Sequence, residues 1–153
     1  MKNLIKNKIK LSTYNITLIE HFIRFLIKGW KKKKAINLLS LSLNYIALTI
    51  NKDPISTLEM AVRYTIPVYL EVTPSIITNE NKTLWHKRFI CKSSKVRTFQ
   101  AIKWIIKAAK EKKDKSLYIH LAKEIVDASR NSGKAVKYKE QMENKLKLAQ
   151  LHM

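Results

Sequence analysis

An amphipathic pattern over residues 98–110 constrains the fold more than any other stretch of this sequence. Apolar residues recur there at the 3.6-residue period of an α-helix, so they share one broad face. They are residues 101, 102, 105, 106, 108 and 109. Lys103, Lys107 and Lys110 are three and four residues apart and line the opposite side. The pattern predicts a long helix with one face on a core and the other on an anionic partner.

The charge balance also indicates an anionic partner. Lysine and arginine number 31 against 11 acidic residues, which gives a net charge of +20. So large an excess repels itself in a folded chain and is most often matched by nucleic acid. Only five of the cations are arginine, and lysine binds phosphate as a point charge, so we expect recognition of backbone and shape rather than of bases. A membrane surface is the rival anionic partner, but no apolar run approaches the roughly 18 residues of a spanning helix.

The composition predicts one domain preceded by a basic arm. With 153 residues, 46% of them hydrophobic, and few glycines and prolines, the chain can bury a real core. Residues 1–16 lack the apolar centre of a secretory signal. We interpret them as a basic N-terminal arm in which Lys8 and Lys10 contact an anion, and residues 17–153 as a helical nucleic-acid-binding domain.

Two helices are predicted near the start of this domain. Residues 17–28 carry an inner apolar stripe, and Gly29 is expected to follow that helix as a C-terminal cap. The stripe consists of Ile16, Ile19, Ile23 and Leu26. Residues 33–50 are apolar nearly all round, which predicts a second helix in a central position.

A third helix is predicted after a break at residues 51–53. Asp53 and Pro54 are typical of an N-cap and a first helical position. Ser56 and Glu59 form an alternative capping box. The helix should end before Pro67, because proline disfavours the helical conformation in the residue that precedes it.

A protruding β-hairpin is predicted at about residues 67–92. Residues 67–73 and 84–91 are rich in β-branched and aromatic side chains, and the polar residues 78–81 have turn chemistry. Two strands alone are marginal in water, so we expect the tip to need a partner. The cations of this segment predict that the partner is anionic; they are Lys82, Lys87, Arg88 and Lys92.

Two more helices are expected after the long one. The first has a stripe formed by Leu117, Leu121, Ile125 and Ala128. Gly133 is expected to end it. The second is mostly polar and carries Met142, Leu146 and Ala149.

Four adjacent cations, Lys31, Lys32, Lys33 and Lys34, follow Trp30 between the first two helices. They are either a solvated loop or a loop that binds phosphates, with Trp30 as a stacking or packing residue. Trp104 is expected in the core, whereas Trp85 on the hairpin is open between packing and base stacking.

Catalytic and metal-binding patterns are missing from the sequence. The four histidines are scattered, and none is spaced to share a metal with Cys91. Strand alternation puts His86 and Cys91 on opposite faces, so we expect Cys91 to be a packed thiol rather than a nucleophile. No enzyme activity, metal or cofactor is predicted.

Ordered motifs resemble the C-terminal half of bacterial-type small-subunit ribosomal protein seven. They are residues 101–109, 114–117, 121–124, 127–128 and 133–137. Weaker similarity reaches back to residues 22–26, 29–34, Glu59 with Ala61, and Pro67 with residues 71–72. The resemblance implies a mainly α-helical single domain of about six helices with one protruding β-hairpin, in agreement with the patterns above.

The same resemblance implies a structural role in the small ribosomal subunit. The protein would bind the 3′ major (head) domain of small-subunit ribosomal RNA and help to order it, with the hairpin near the tRNA exit site. The implied partners are this RNA, neighbouring head proteins, ribosomal protein eleven and exit-site tRNA. Frequent Lys, Asn and Ile suggest an AT-rich organellar genome, so a mitochondrial member is expected, with plastid or bacterial cytoplasm as alternatives.

Carried over by position, the RNA-binding candidates fall in four places. They are Lys31 to Lys34, then Lys95 and Arg97 before the long helix, Lys103 on it, and Lys134, Lys137 and Lys139. The chain departs from the family where residues 79–81 replace a glycine-rich hairpin turn and where a run of arginines is reduced to Lys95 and Arg97. No family-type tail follows Met153, so we expect its contacts to be missing or supplied by another protein.

Two other functions fit a basic helical chain with a hairpin arm. A DNA-bending protein would suit a minor groove, but such proteins place an apolar wedge at the arm's tip, and residues 78–81 offer none. A protein that lies on membrane surfaces would gain helix on anionic lipid. The broadly apolar second helix argues against it.

Overall fold

Helices make up most of the chain in this computed structural model, which describes residues 13–27, 29, 31–72, 88–112 and 116–151. That part of the chain contains six helices and two short strands. The helices are α1 (Thr13–Leu26), α2 (Lys32–Thr49), α3 (Pro54–Thr65), α4 (Ser94–Glu111), α5 (Leu117–Ser129) and α6 (Gly133–Leu151). The strands are β1 (Leu70–Val72) and β2 (Arg88–Ile90). The mainly α-helical fold is confirmed.

The core is built around α4 and α5. Helix α5 packs against α2, α3, α4 and α6, and its buried stripe includes Leu121, Ile125 and Ala128, as predicted. All six apolar positions predicted for α4 are buried, and Trp104 joins them in the core. Each large aliphatic side chain removed from water in this way contributes about 1.5–3 kcal/mol. The three lysines predicted on the other side of α4 are exposed.

Helix α1 is displaced from its prediction at both ends. It begins at Thr13, inside the segment assigned to the basic arm, and ends at Leu26. Ile16 is 47% exposed, so its assignment to the inner stripe was wrong. Leu18 and Phe22 are buried instead, because the face that meets the core is centred on their side of the helix. Gly29 follows the helix with φ +56°, the left-handed conformation expected of a residue after a helix end.

Helix α2 lies at the edge of the domain, which corrects its predicted central position. Its inner side packs against α1, α3 and α5. The buried residues are Ala35, Leu39, Ser42 and Ile46. Leu41 and Leu48 are 50% and 86% exposed. Some of the apolar residues of α2 therefore face solvent and do not pack in the core.

The start and end of α3 confirm the predicted signals. The Asp53 carboxylate accepts a 2.7 Å hydrogen bond from the backbone N–H of Ser56, and Pro54 occupies the first turn. The alternative capping box of Ser56 and Glu59 is not used. The helix ends at Thr65, two residues before Pro67.

An antiparallel two-stranded ribbon joins α3 to α4. Leu70 pairs with Ile90, Glu71 with Phe89, and Val72 with Arg88. Both strands are shorter than predicted within the described residues. The predicted turn, with Lys82, Lys87 and Trp85, lies outside those residues, as do Lys8, Lys10 and Trp30. Cys91 follows β2 and is exposed, so the prediction of a packed thiol was wrong: the strand ends at Ile90, before it could bury the thiol.

The junction between α5 and α6 corrects the role assigned to Gly133. Helix α5 ends at Ser129, and the chain turns through Asn131, which has φ +54°. Gly133 has φ +89° and begins α6 instead of ending α5. A Cβ atom there would lie 2.9 Å from Oε1 of Glu124 and 3.0 Å from Cβ of Asp127. Glycine is thus required by both backbone conformation and space.

Within the described residues, no helix combines the length and the apolar character needed to cross a bilayer.

Candidate nucleic-acid interface

The first turn of α2 holds the strongest concentration of positive charge. Lys31 is the N-cap residue, Lys32 to Lys34 form the first turn, and all four side chains are exposed. The helix therefore begins one residue before its predicted start at Lys33, and three of the four lysines lie in it. The turn has no acidic residue, and Lys31 makes no side-chain cap hydrogen bond. Cations are unfavourable at the positive end of a helix dipole, whereas an anion would satisfy both the lysines and the free backbone N–H groups.

The first turn of α4 repeats this arrangement. The helix begins at Ser94, so Lys95 and Arg97 lie within it. The prediction that they precede the helix was wrong. Ser93 is the N-cap residue but makes no side-chain cap hydrogen bond, and no acid occupies the turn. Nε of Arg97 is buried and has no hydrogen-bond partner among the described residues. Both helices therefore present cations and free N–H groups at their amino ends.

His21 lies beside the amino end of α4. Its ring meets the Phe99 ring edge-on at a centroid distance of 4.6 Å. The pKa of His21 is lowered from its ordinary value, chiefly by burial and then by the charges of Lys95 and Arg24. The imidazole is therefore mainly neutral at pH 7. Lys95 and Arg24, the cations that lower the pKa of His21, also form a positive surface that would attract an anion.

Aromatic contacts hold α1 against α4 and orient two of the candidate lysines. The rings of Phe25 and Phe99 are 5.4 Å apart. Nζ of Lys95 lies 5.8 Å from the centre of the Phe99 ring, and Nζ of Lys103 lies 5.4 Å from that of Phe25. Such cation–π contacts contribute about 0.5–1 kcal/mol at exposed sites. They limit the positions of the ammonium groups without removing them from solvent.

The lysines at the start of α6 differ, because two of the three are engaged within the protein. Lys134 pairs with the carboxylate of Glu111, and Nζ of Lys139 donates a 3.0 Å hydrogen bond to the Tyr64 carbonyl. Lys137 is exposed. The three remain candidates from the resemblance, but the geometry favours α2 and α4 as the phosphate-binding helix starts.

Glu124 is a polar residue that the sequence reading missed. Its side chain is fully buried, and Oε1 accepts a 2.8 Å hydrogen bond from the backbone N–H of Ala135. Nζ of Lys112 lies 3.3 Å from Oε2. A carboxylate thus neutralises the amino end of α6 from inside. The sequence did contain a signal for this burial: Glu124 lies three and seven residues after Leu121 and Leu117, which puts it on the same face as the buried stripe.

A second polar cluster joins α4 to α6. The hydroxyl of Tyr138 donates a 2.6 Å hydrogen bond to Glu111, which also pairs with Lys134. Burial and then this hydrogen bond raise the pKa of Tyr138 to about 12. The pKa of Glu111 is lowered, chiefly by the hydrogen bond from Lys134 and then by that from Tyr138. Glu111 and Lys134 therefore neutralise each other within the protein, which leaves Lys134 less available to an external anion.

The hairpin candidates are only partly described. The backbone of Arg88 forms the first residue of β2, and Lys92 is exposed two residues after the strand ends. Among the described residues, no three His, Cys, Asp or Glu side chains come together in a group that could hold a metal ion.

This geometry defines a class: a basic, mainly α-helical binding protein whose helix starts are suited to phosphate. The family model of ribosomal protein S7p/S5e matches residues 2–149. The chain belongs to this family, as a ribosomal small-subunit protein with a structural and not an enzymatic role. That membership confirms both the resemblance and the expectation that the chain is not an enzyme.

Relatives come from bacteria, plastids and mitochondria. The small ribosomal subunit protein uS7 of Wigglesworthia glossinidia brevipalpis is 32% identical over 129 residues, covering 84% of this chain and 80% of the relative. Protein uS7c of Prototheca wickerhamii is 30% identical over 140 residues, covering 84% and 80%. Protein uS7m of Reclinomonas americana is 30% identical over 135 residues, covering 85% and 79%.

Proposed function

We propose that this protein binds the 3′ major (head) domain of small-subunit ribosomal RNA and helps to order it. Its partners would be that RNA, neighbouring head proteins, ribosomal protein eleven and exit-site tRNA, with the β1–β2 ribbon near the exit site. One observation supports RNA binding above all. Six cations crowd the N-cap and first-turn positions of α2 and α4 without any carboxylate, although such positions favour anions.

The mechanism is electrostatic and architectural. Helix α1 packs against both α2 and α4, so a single rigid body carries both cationic helix starts. Two RNA segments would be held together if their phosphates are separated by the distance between the starts of α2 and α4. RNA folded differently would contact only one of the two helix starts. Lysine contacts to phosphate carry no base information. Selectivity would therefore come from the folded shape of the RNA.

The direct test measures how binding to an isolated head-domain RNA fragment depends on salt. If roughly ten phosphates are engaged, the plot of log affinity against log salt should have a slope of about −7 to −9. The full chain is titrated at several salt concentrations, with duplex DNA of equal length as the competitor. A nearly flat salt dependence, or preference for the duplex DNA, would refute the proposal and favour a DNA-bending role.

We further propose an organellar location, with mitochondria preferred. The support is the Lys-, Asn- and Ile-rich composition, and the family includes organellar members such as uS7m and uS7c. The test is sedimentation of lysates from purified mitochondria and plastids and of the cytosolic fraction, with antibody detection across each gradient. Co-migration with mitochondrial small subunits is expected. Detection only in the plastid or cytosolic fraction would reject the mitochondrial assignment.

A further inference from the structure

A long segment without formal charge fills α2 after its first turn and continues two residues past the end of the helix. Residues 35–51 include no Lys, Arg, Asp or Glu, although 27% of the whole chain is charged. A stretch of this length would carry about four or five charged residues at that frequency. The segment begins directly after Lys34, where the cationic first turn ends. The same helix thus offers two chemically different surfaces in succession.

Four residues define the outer face of this segment, which we name the α2 seam: Asn37, Leu41, Asn44 and Leu48. Their spacing of four, three and four residues keeps them on one side of a helix. The buried residues Ala35, Leu39 and Ile46 lie on the opposite side. Leu41 is 50% exposed and Leu48 is 86% exposed. The seam is therefore open to solvent in the described structure.

The chemistry of the seam excludes several occupants. It has no cation, so phosphates lying on it would remain without a counter-charge. A second copy is disfavoured because two chains of net charge +20 repel each other. A single exposed leucine would need no explanation. Two leucines seven residues apart, alternating with asparagines in an uncharged segment of the helix, have the spacing of a coiled-coil contact.

We infer that the α2 seam binds an amphipathic helix of another protein, one with apolar residues at heptad spacing. The leucines would pack between its apolar residues, and Asn37 and Asn44 would fix the register, as buried asparagines do in coiled coils. At 1.5 Å per residue, the seam from Asn37 to Leu48 is only about 16 Å long, so the contact is small. Binding both proteins to one RNA raises their effective concentration and so strengthens this small contact. To that extent the inference rests on the proposed function.

The test places a photo-cross-linking residue on the seam in the intact small subunit. The full chain carries Leu48→p-benzoylphenylalanine and, as matched control, Leu148→p-benzoylphenylalanine, since Leu148 is another exposed leucine at 57% on α6. Particles are irradiated and the cross-linked partner is identified by mass spectrometry. We expect position 48, but not 148, to cross-link to a helical segment of one other protein. Adding Leu41→Glu should lower that yield about tenfold, the change that 1.4 kcal/mol produces.

Contrary outcomes are distinct. Cross-links from position 48 to RNA, to a second copy, to another segment of this chain, or to nothing would overturn the inference. Helix content and binding to the head-domain RNA fragment are measured for Leu41→Glu, and both should match the parent chain. If the parent chain itself fails to bind that fragment, the proposed function fails, whereas a cross-link to a partner helix would still support the α2 seam.

Discussion

The carboxylate of Glu124, fully buried in α5, accepts a 2.8 Å hydrogen bond from the backbone amide of Ala135 in α6. This bond satisfies one of the free N–H groups at the amino end of α6. Lys112, just after α4, supplies the counter-charge at 3.3 Å. A single side chain from the middle of α5 therefore connects the end of α4 with the start of α6.

Replacing Glu124 by alanine should destabilise the fold strongly. The change leaves the Ala135 amide and the Lys112 ammonium without their partner, which should lower the free energy of unfolding by about 3 kcal/mol. Glu124→Gln keeps an acceptor for the amide and should lose less. Denaturant unfolding followed by circular dichroism measures both. As a control, Glu59→Ala removes an exposed partner 4.0 Å from Arg63 and should change stability by less than about 1 kcal/mol.

Two glycine substitutions should separate backbone strain from lack of space. Gly29 and Gly133 both have positive φ, but a Cβ atom at Gly29 meets nothing within 4 Å. Gly29→Ala should therefore cost only the left-handed strain of about 1–2 kcal/mol. Gly133→Ala adds the 2.9 Å approach to Glu124 and should cost clearly more. Equal losses of thermal stability in the two variants would show that the space around Gly133 adjusts without penalty.

Neutralising the start of α2 should weaken RNA binding without loss of helix. In the variant with Lys31, Lys32, Lys33 and Lys34 changed to alanine, the salt slope should become shallower by about 3, the share of four phosphate contacts. Helix stability should be equal or higher, because cations at a helix amino end are unfavourable. The measurements are RNA titration and circular dichroism. Lost helicity would mean that these lysines serve the fold.

A charge-matched comparison sharpens this result. Lys32→Ala with Lys33→Ala is compared with Lys145→Ala with Lys147→Ala, where Lys145 lies 3.7 Å from Glu71. Both pairs lower the net charge by the same amount. Only the first should reduce affinity substantially; equal losses would indicate a response to total charge and not to the start of α2.

The cluster of Tyr138 and Glu111 should make stability depend on pH at both extremes. The pKa of Tyr138 is raised to about 12, so its contribution is present below pH 10 and is lost as pH rises through 12. The pKa of Glu111 is lowered, so its contribution is present above 4.5 and is lost as pH falls through the folded-state value. An absorbance titration of the phenolate, with Tyr138→Phe as the blank, measures the first. Glu111→Gln should bring the Tyr138 pKa only part of the way to 10, because burial is the larger cause.

Local signals in the sequence predicted much of this fold. The helical period of α4 identified its buried residues, since one uninterrupted pattern spans three turns. Asp53 with Pro54 identified the start of α3. The beginning of α4 was missed because Ser94 to Arg97 contain only one apolar residue, so the periodic signal starts later. Gly133 was correctly predicted to lie at a helix boundary, but a glycine with positive φ can lie at either end of a helix, and here it begins α6.

Tertiary information was needed for the remaining errors. An all-apolar helix can be buried on every side or can keep one side for a partner, and the sequence of α2 does not distinguish these cases. For the candidate site, the cluster at Lys31 to Lys34 was evident from the charges alone. The internal contacts of Lys134 and Lys139 join residues 23 and 75 positions apart in the chain. No spacing rule reaches that far.

The uncharged segment of α2 has a consequence for the life of the chain before assembly. Until the inferred partner helix covers Leu41 and Leu48, the newly made protein exposes a hydrophobic strip beside a strongly cationic surface that attracts polyanions. Molecules made in excess of their partners are therefore exposed to misassociation on both surfaces. We therefore expect the supply of this protein to stay close to one copy for each particle being built, or the surplus to be degraded.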